Sequence, residues 1–171
     1  SNTWFAAMAS AGPDRYLDGP MRVGPKRVGL LGGSFNPAHQ GHLHISRLAL
    51  ERLRLDAVWW VVSPQNPLKP TAGMAPFGER MAMAAEVAAA DDRILVTDLE
   101  HRLGTRFAVD TLEMLIKEQP STRFVWIMGA DNLQQVPRWK QWRRLFRMLP
   151  IAVFARPSYS FRALSSRATR R

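Results

Sequence analysis

The chain contains no cysteine. That excludes disulfide cross-links, thiolate nucleophiles and cysteine-ligated zinc. It also lacks any apolar run near the roughly 18 to 20 residues that a helical membrane span needs. The short apolar patch TWFAAMASAG near the start has no basic residue ahead of it, which argues against a secretory signal. Acidic residues are missing from one region altogether: from Asn132 to Arg171 there are ten Lys and Arg and no Asp or Glu. The rest of the chain holds fourteen basic and fourteen acidic residues, so the whole net charge of +10 sits in this C-terminal part. Such a segment suits a polyanion or is a solvated basic helix face; no nucleic-acid motif accompanies it, so no specific nucleic-acid partner is expected. The GxGxxG, GxxxxGK[ST] and HExxH patterns are absent too, and dinucleotide binding, P-loop ATPase chemistry and zinc-protease chemistry do not follow.

What is present is enough apolar material for one core: 171 residues, 46% of them hydrophobic. Short apolar runs fall at VGLL (28–31), AVWWVV (57–62), ILV (94–96), FVWIM (124–128) and IAVF (151–154). Runs of this length that do not alternate suit strands buried on both faces of a parallel sheet. Between them, residues 42–53, 77–90, 109–117 and 139–148 carry helical spacing or strong helix formers. The alternation predicts an α/β fold, a doubly wound parallel sheet in a single domain over residues 26–171, preceded by a tail over residues 1–25.

In such sheets ligands bind beyond the carboxyl ends of the strands. After VGLL comes GGSFNPAHQGH, after AVWWVV comes SPQNPLKP, after FVWIM comes GADN, and after IAVF comes ARP. Gly32 and Gly33 would permit positive φ and close backbone approach to a ligand. A helix starting near Gly41 would offer unpaired amides and a positive dipole end to an anion. His39 and His42, two of only four histidines, stand three apart. Three roles are open to them. Metal ligation is disfavoured because no carboxylate lies within eight residues. Helix capping or core hydrogen bonding is the second. Donation to phosphate oxygens is the third, with the imidazolium form able to stabilise developing charge. His44 reads as a surface or packing residue and His101 as a loop residue.

GGSFNPAHQGH resembles the nucleotidylyltransferase signature, a glycine-rich turn followed by an [HT]xGH box, here His39-Gln40-Gly41-His42. SPQNPLKP, GAD, PRWKQW and ARP fall in the order seen in bacterial nicotinate-nucleotide adenylyltransferases, so the resemblance covers roughly residues 27 to 157. It implies a Rossmann-like fold and a cytoplasmic enzyme that joins ATP to nicotinate mononucleotide, with Mg2+ carried on the ATP. Relatives acting on nicotinamide mononucleotide, phosphopantetheine or glycerol phosphate, and a nucleotide- or RNA-binding protein without catalysis, are the alternatives; homo-oligomerisation stays open. Under the resemblance, His39 and His42 are catalytic and contact ATP phosphates. Gly32, Gly33, Ser34 and Phe35 line the phosphate site with their backbone, Gly129, Ala130 and Asp131 lie near the ribose or metal, and Arg156 lies along ATP. Lys69, Ala108, Thr111 and Trp139 meet the mononucleotide, Trp139 by stacking on its ring. No protein metal ligand is assigned. Two departures stand out. The family often places Tyr-Thr before its [DQ]TL box, where this chain has Phe107-Ala108-Val109-Asp110-Thr111-Leu112. The closing ISSTxIR box is echoed only by Leu164-Ser165-Ser166-Arg167-Ala168-Thr169-Arg170, which predicts that the true box lies beyond Arg171.

Overall fold

The computed structural model describes residues 26–64, 73–103, 108–139 and 141–155. In chain order the elements are β1 (Arg27–Gly33), α1 (Gln40–Arg52), β2 (Ala57–Val62), α2 (Phe77–Ala88), β3 (Ile94–Thr97), α3 (Leu99–Leu103), α4 (Ala108–Glu118), β4 (Arg123–Gly129), a 3₁₀ segment (Ala130–Arg138), α5 (Trp142–Met148) and β5 (Ile151–Phe154). The strands form one sheet in the order β3-β2-β1-β4-β5, and every pairing is parallel.

The apolar runs form strands because both faces of the sheet are covered. β2 is buried at every position, and its residues alternate between two cores. Val58, Trp60 and Val62 pack under α1 and α2 with Leu43, Ile45, Ala49, Leu50, Ala84 and Ala88. Ala57, Trp59 and Val61 pack on the other side with Leu112 and Leu115 of α4 and Leu145 of α5. Each large apolar side chain buried this way stabilises the fold by about 1.5–3 kcal/mol. The chain therefore winds outward from β1 to β3 over one face, crosses to the other, and finishes at β5. Its switch point lies between β1 and β4, where the loops leaving the two strands part toward opposite faces.

Glycine serves β1 differently from the sequence expectation. Gly32 and Gly33 are extended strand residues, and among the described glycines positive φ occurs at Gly73 instead. What Gly32 supplies is room: a Cβ there would stand 2.6 Å from the Trp126 ring. The left-handed backbone falls two residues after Gly33, on Phe35 (φ 49).

Two further expectations change. Residues 139–148 are not one helix. The 3₁₀ segment holds Pro137, whose nitrogen has no hydrogen to donate, and Gln141 is left-handed (φ 53), so α5 begins only at Trp142 and Trp139 lies outside it. His101 is not in a loop; it sits on the short α3, exposed, with its ring 5.3 Å from that of Phe77. His44 is exposed on α1, as expected. Among the described residues no helix is long and apolar enough to cross a membrane.

Candidate active site

Parallel pairing aligns the carboxyl ends. Gly33 is in register with Val62 of β2, and Leu31 with Ile127 of β4, so the turn after β1 lies between the loop after β2 and the 3₁₀ segment after β4. α1 follows the turn directly, and its first turn carries the paired histidines.

His39 is the N-cap of α1. Its Nδ1 accepts the Gly41 amide at 3.0 Å, while its own amide donates to Nδ1 of His42 at 3.1 Å. The amides of His42 and Leu43 turn to the His39 carbonyl at 3.1 and 3.5 Å. The expected row of unpaired amides is thus largely satisfied within the helix. In this geometry Nδ1 of each ring is the acceptor, which leaves Nε2 as the nitrogen available to donate. The arrangement offers two imidazole donors at the head of α1, each with a backbone N–H behind its ring.

Packing fixes these rings. The His39 and His42 centroids are 4.0 Å apart, and His42 lies 4.5 Å from Phe35 and 5.9 Å from Trp60. Phe35 is buried and stacks on Trp60 at 5.2 Å. Trp60 Nε1 donates to Ser46 Oγ at 2.8 Å, and Ser46 donates to the His42 carbonyl at 2.7 Å. Phe35 combines this left-handed backbone with a ring buried in the first core beside His42. A left-handed backbone at an aromatic residue persists only where its surroundings hold it.

Beside the turn, Arg80 in the first turn of α2 is almost fully buried, at 1% exposure. It donates to the carbonyls of Ser34, Ser63, Pro64 and Ala75 at 2.7, 2.7, 2.9 and 2.9 Å. Asn36 adds a parallel link: Nδ2 donates to Gly73 O at 3.2 Å and Oδ1 accepts from Ala75 N at 3.1 Å. Glu100 is buried at the start of α3, and burial pushes its pKa up to about 7, partly offset by the Ser63 hydroxyl that donates to it. Its Oε2 has no hydrogen-bond partner among the described residues. Ser46, Trp60, Arg80 and Glu100 were all missed by the sequence pattern.

The remaining expected residues are placed as follows. Gly129 is buried at the end of β4, with Ala130 and Asp131 exposed in the first turn of the 3₁₀ segment. Ala108 opens α4, and Thr111 in the same turn is buried at 3% exposure. Trp139 is half-buried, edge-on to Trp126 at 6.3 Å, and packs against the second core. Lys69 and Arg156 lie outside the described residues.

Comparison with known proteins gives a consistent picture. The cytidylyltransferase-like family model matches residues 30–170. The probable nicotinate-nucleotide adenylyltransferase of Parvibaculum lavamentivorans is 59% identical over 84% of this chain and 71% of its own length. That of Gluconobacter oxydans is 60% identical over 77% of this chain and 67% of its own length. Among solved structures, the nicotinic acid mononucleotide adenylyltransferase of Plasmodium falciparum, complexed with NaAD, shares the fold: the TM-score is 0.65 at 16% identity, over 77% of this chain and 76% of that one. A chain with this turn, this sheet order and relatives this similar belongs to the nicotinate-nucleotide adenylyltransferases of the cytidylyltransferase-like family.

Proposed function

We propose that the protein transfers the adenylyl group of ATP to nicotinate mononucleotide, giving deamido-NAD and pyrophosphate. The observation that carries this is the pair of imidazoles in a reciprocal cap at the head of α1, where the turn after β1 meets the switch point of the sheet. An oxygen of the mononucleotide phosphate attacks the α-phosphorus in line. The bond from that phosphorus to the bridging oxygen breaks, and its electron pair leaves with pyrophosphate. The attacking phosphate is already ionised near neutral pH, so no side-chain base is required. The protein's part is positioning and charge stabilisation.

In this reading the Nε2–H groups of His39 and His42 donate to phosphate oxygens of ATP, and the backbone of Gly32, Gly33, Ser34 and Phe35 shapes the pocket floor. Gly129 and Asp131 face the adenosine ribose, and Arg156 lies along ATP. Lys69 meets the mononucleotide phosphate, Ala108 and Thr111 lie beside the pyridine ring, and Trp139 covers it. Enzymes of this family generally use a divalent metal ion. Asp131, exposed in the first turn of the 3₁₀ segment, is an acidic side chain that would be available to an ion brought in with ATP. We assign that ion as Mg2+; when bound it neutralises charge on the triphosphate. The cytoplasm, where ATP is abundant, is the expected place of work.

The test offers ATP with nicotinate mononucleotide, nicotinamide mononucleotide or phosphopantetheine and measures pyrophosphate. Preferential release with the nicotinate compound supports the assignment. Release with another acceptor moves the protein to a neighbouring activity, and salt-sensitive RNA retention without any release would point to a binding protein.

A further inference from the structure

A buried cation is normally paired with a carboxylate. Among the described residues Arg80 has no such partner: at 1% exposure, its hydrogen bonds there all run to main-chain carbonyls. Its position is also unfavourable for a cation, because it stands in the first turn of α2, near the positive end of that helix. Something other than local helix energetics holds it there. The carbonyls it gathers belong to separate segments. Ser34 is in the turn after β1, Ser63 and Pro64 follow β2, and Ala75 leads into α2. Asn36, from the same turn as Ser34, reaches Gly73 and Ala75. The chain on both sides of residues 65–72 is therefore tied to the β1 turn by side chains that diverge from single points.

We infer that Arg80 is a positioning residue that fixes the spacing between the turn after β1 and the chain following β2, and thereby aligns the two substrates for in-line transfer. This rests on the adenylyl-transfer reading, in which the first segment handles ATP and the second leads to the mononucleotide site. The planar fork is what the role requires. A guanidinium can direct rigid N–H groups at four diverging carbonyls, whereas a lysine ammonium keeps the charge but not that geometry. Because the task is relative alignment, its loss acts on turnover rather than on the grip of either substrate alone. A misplacement of about 1 Å between reacting groups costs on the order of 10² in rate.

The experiment compares wild type with Arg80→Lys in the full chain. It reads kcat by pyrophosphate release, the Kd of ATP and of nicotinate mononucleotide each measured alone by calorimetry, and folding by thermal melt. We expect kcat to fall by roughly 10² while each separate Kd changes less than about threefold and the variant is fully folded at the assay temperature. If Arg80→Lys does not fold, Asn36→Ala carries the test, since Asn36 is exposed. It is expected to lower kcat about tenfold with unchanged separate Kd values. Wild-type turnover in the folded variant overturns the inference and leaves the adenylyl-transfer reading standing. A fall in kcat matched by an equal loss of ATP affinity overturns it too. Absence of product with the wild type overturns the underlying reading, and the inference with it.

Discussion

The turn after β1 and the segment after β4 leave the same end of one sheet on neighbouring strands, yet they are held in different ways. The first is braced from several directions. It has a reciprocal cap, a stack of Phe35, His42 and Trp60, and the Arg80 and Asn36 links to the loops beside it. The second continues as 3₁₀ turns with a proline inside, no side-chain cap, a left-handed residue and then a helix of seven residues. The 3₁₀ geometry makes poorer hydrogen bonds than an α-helix. Rigidity is concentrated where reacting phosphates would be aligned. The other segment ends at Trp139, half-buried and edge-on to Trp126.

If this contrast is functional, the largest effect belongs to His42. His42→Asn keeps an acceptor near the place of Nδ1 but removes the distal N–H. Turnover should fall by roughly 10² to 10³ while the melting temperature holds. His42→Gln keeps a distal N–H and can still close the cap, so it should retain more turnover than Asn. The same turnover in the Asn variant as in the wild type would reduce His42 to a capping residue.

Next is Glu100, which joins the braced side through Ser63. Its ordinary pKa is 4.5, and in the fold it is about 7. Between those values the folded state holds more protons than the unfolded one, so stability falls as pH rises from 4.5 through 7, and the loss is complete above that. The full loss is about 3 kcal/mol. Urea melts of Glu100→Gln should show that slope removed and the variant more stable than wild type at pH 8. An unchanged slope would mean the carboxyl is not held in a dry site.

On the less braced side, Trp139→Ala should raise KM for the mononucleotide about tenfold with little change for ATP. Equal shifts for both substrates would make Trp139 a core residue packed on Trp126. The smallest effect is expected far from both regions, at Asp91. Its carboxylate bonds Arg93 and Arg47, and the Arg93 hydrogen bond holds its pKa down at about 2 against an ordinary 3.8. It stabilises above pH 3.8 and loses that contribution as pH falls through 2. Asp91→Asn should cost less than about 1 kcal/mol at pH 7, leave turnover alone, and match wild type below pH 2.

The strands were legible because burial on both faces leaves unbroken apolar runs. The histidine pair stood out because its spacing is distinctive. Which nitrogen of each ring accepts was not legible: that depends on the backbone amide each ring meets, and needs the cap geometry. The helix over 139–148 failed because Pro137 and the left-handed Gln141 outweigh the apolar periodicity beyond them. α3 escaped because five residues are too few to show a period. Arg80 sits without a distinguishing pattern in a segment of strong helix formers, 77–90. One signal was available, a positive residue in a first turn where the helix field opposes it. For Glu100 there was none, since an acid beside a short apolar run reads as exposed.

β1 lies in the middle of the sheet and starts at Arg27, just after Lys26, at the end of the sheet opposite the histidine turn. A tether or fusion partner joined just ahead of Lys26 would therefore fasten the enzyme by its blind side, leaving the reactive rim turned toward the surrounding solution.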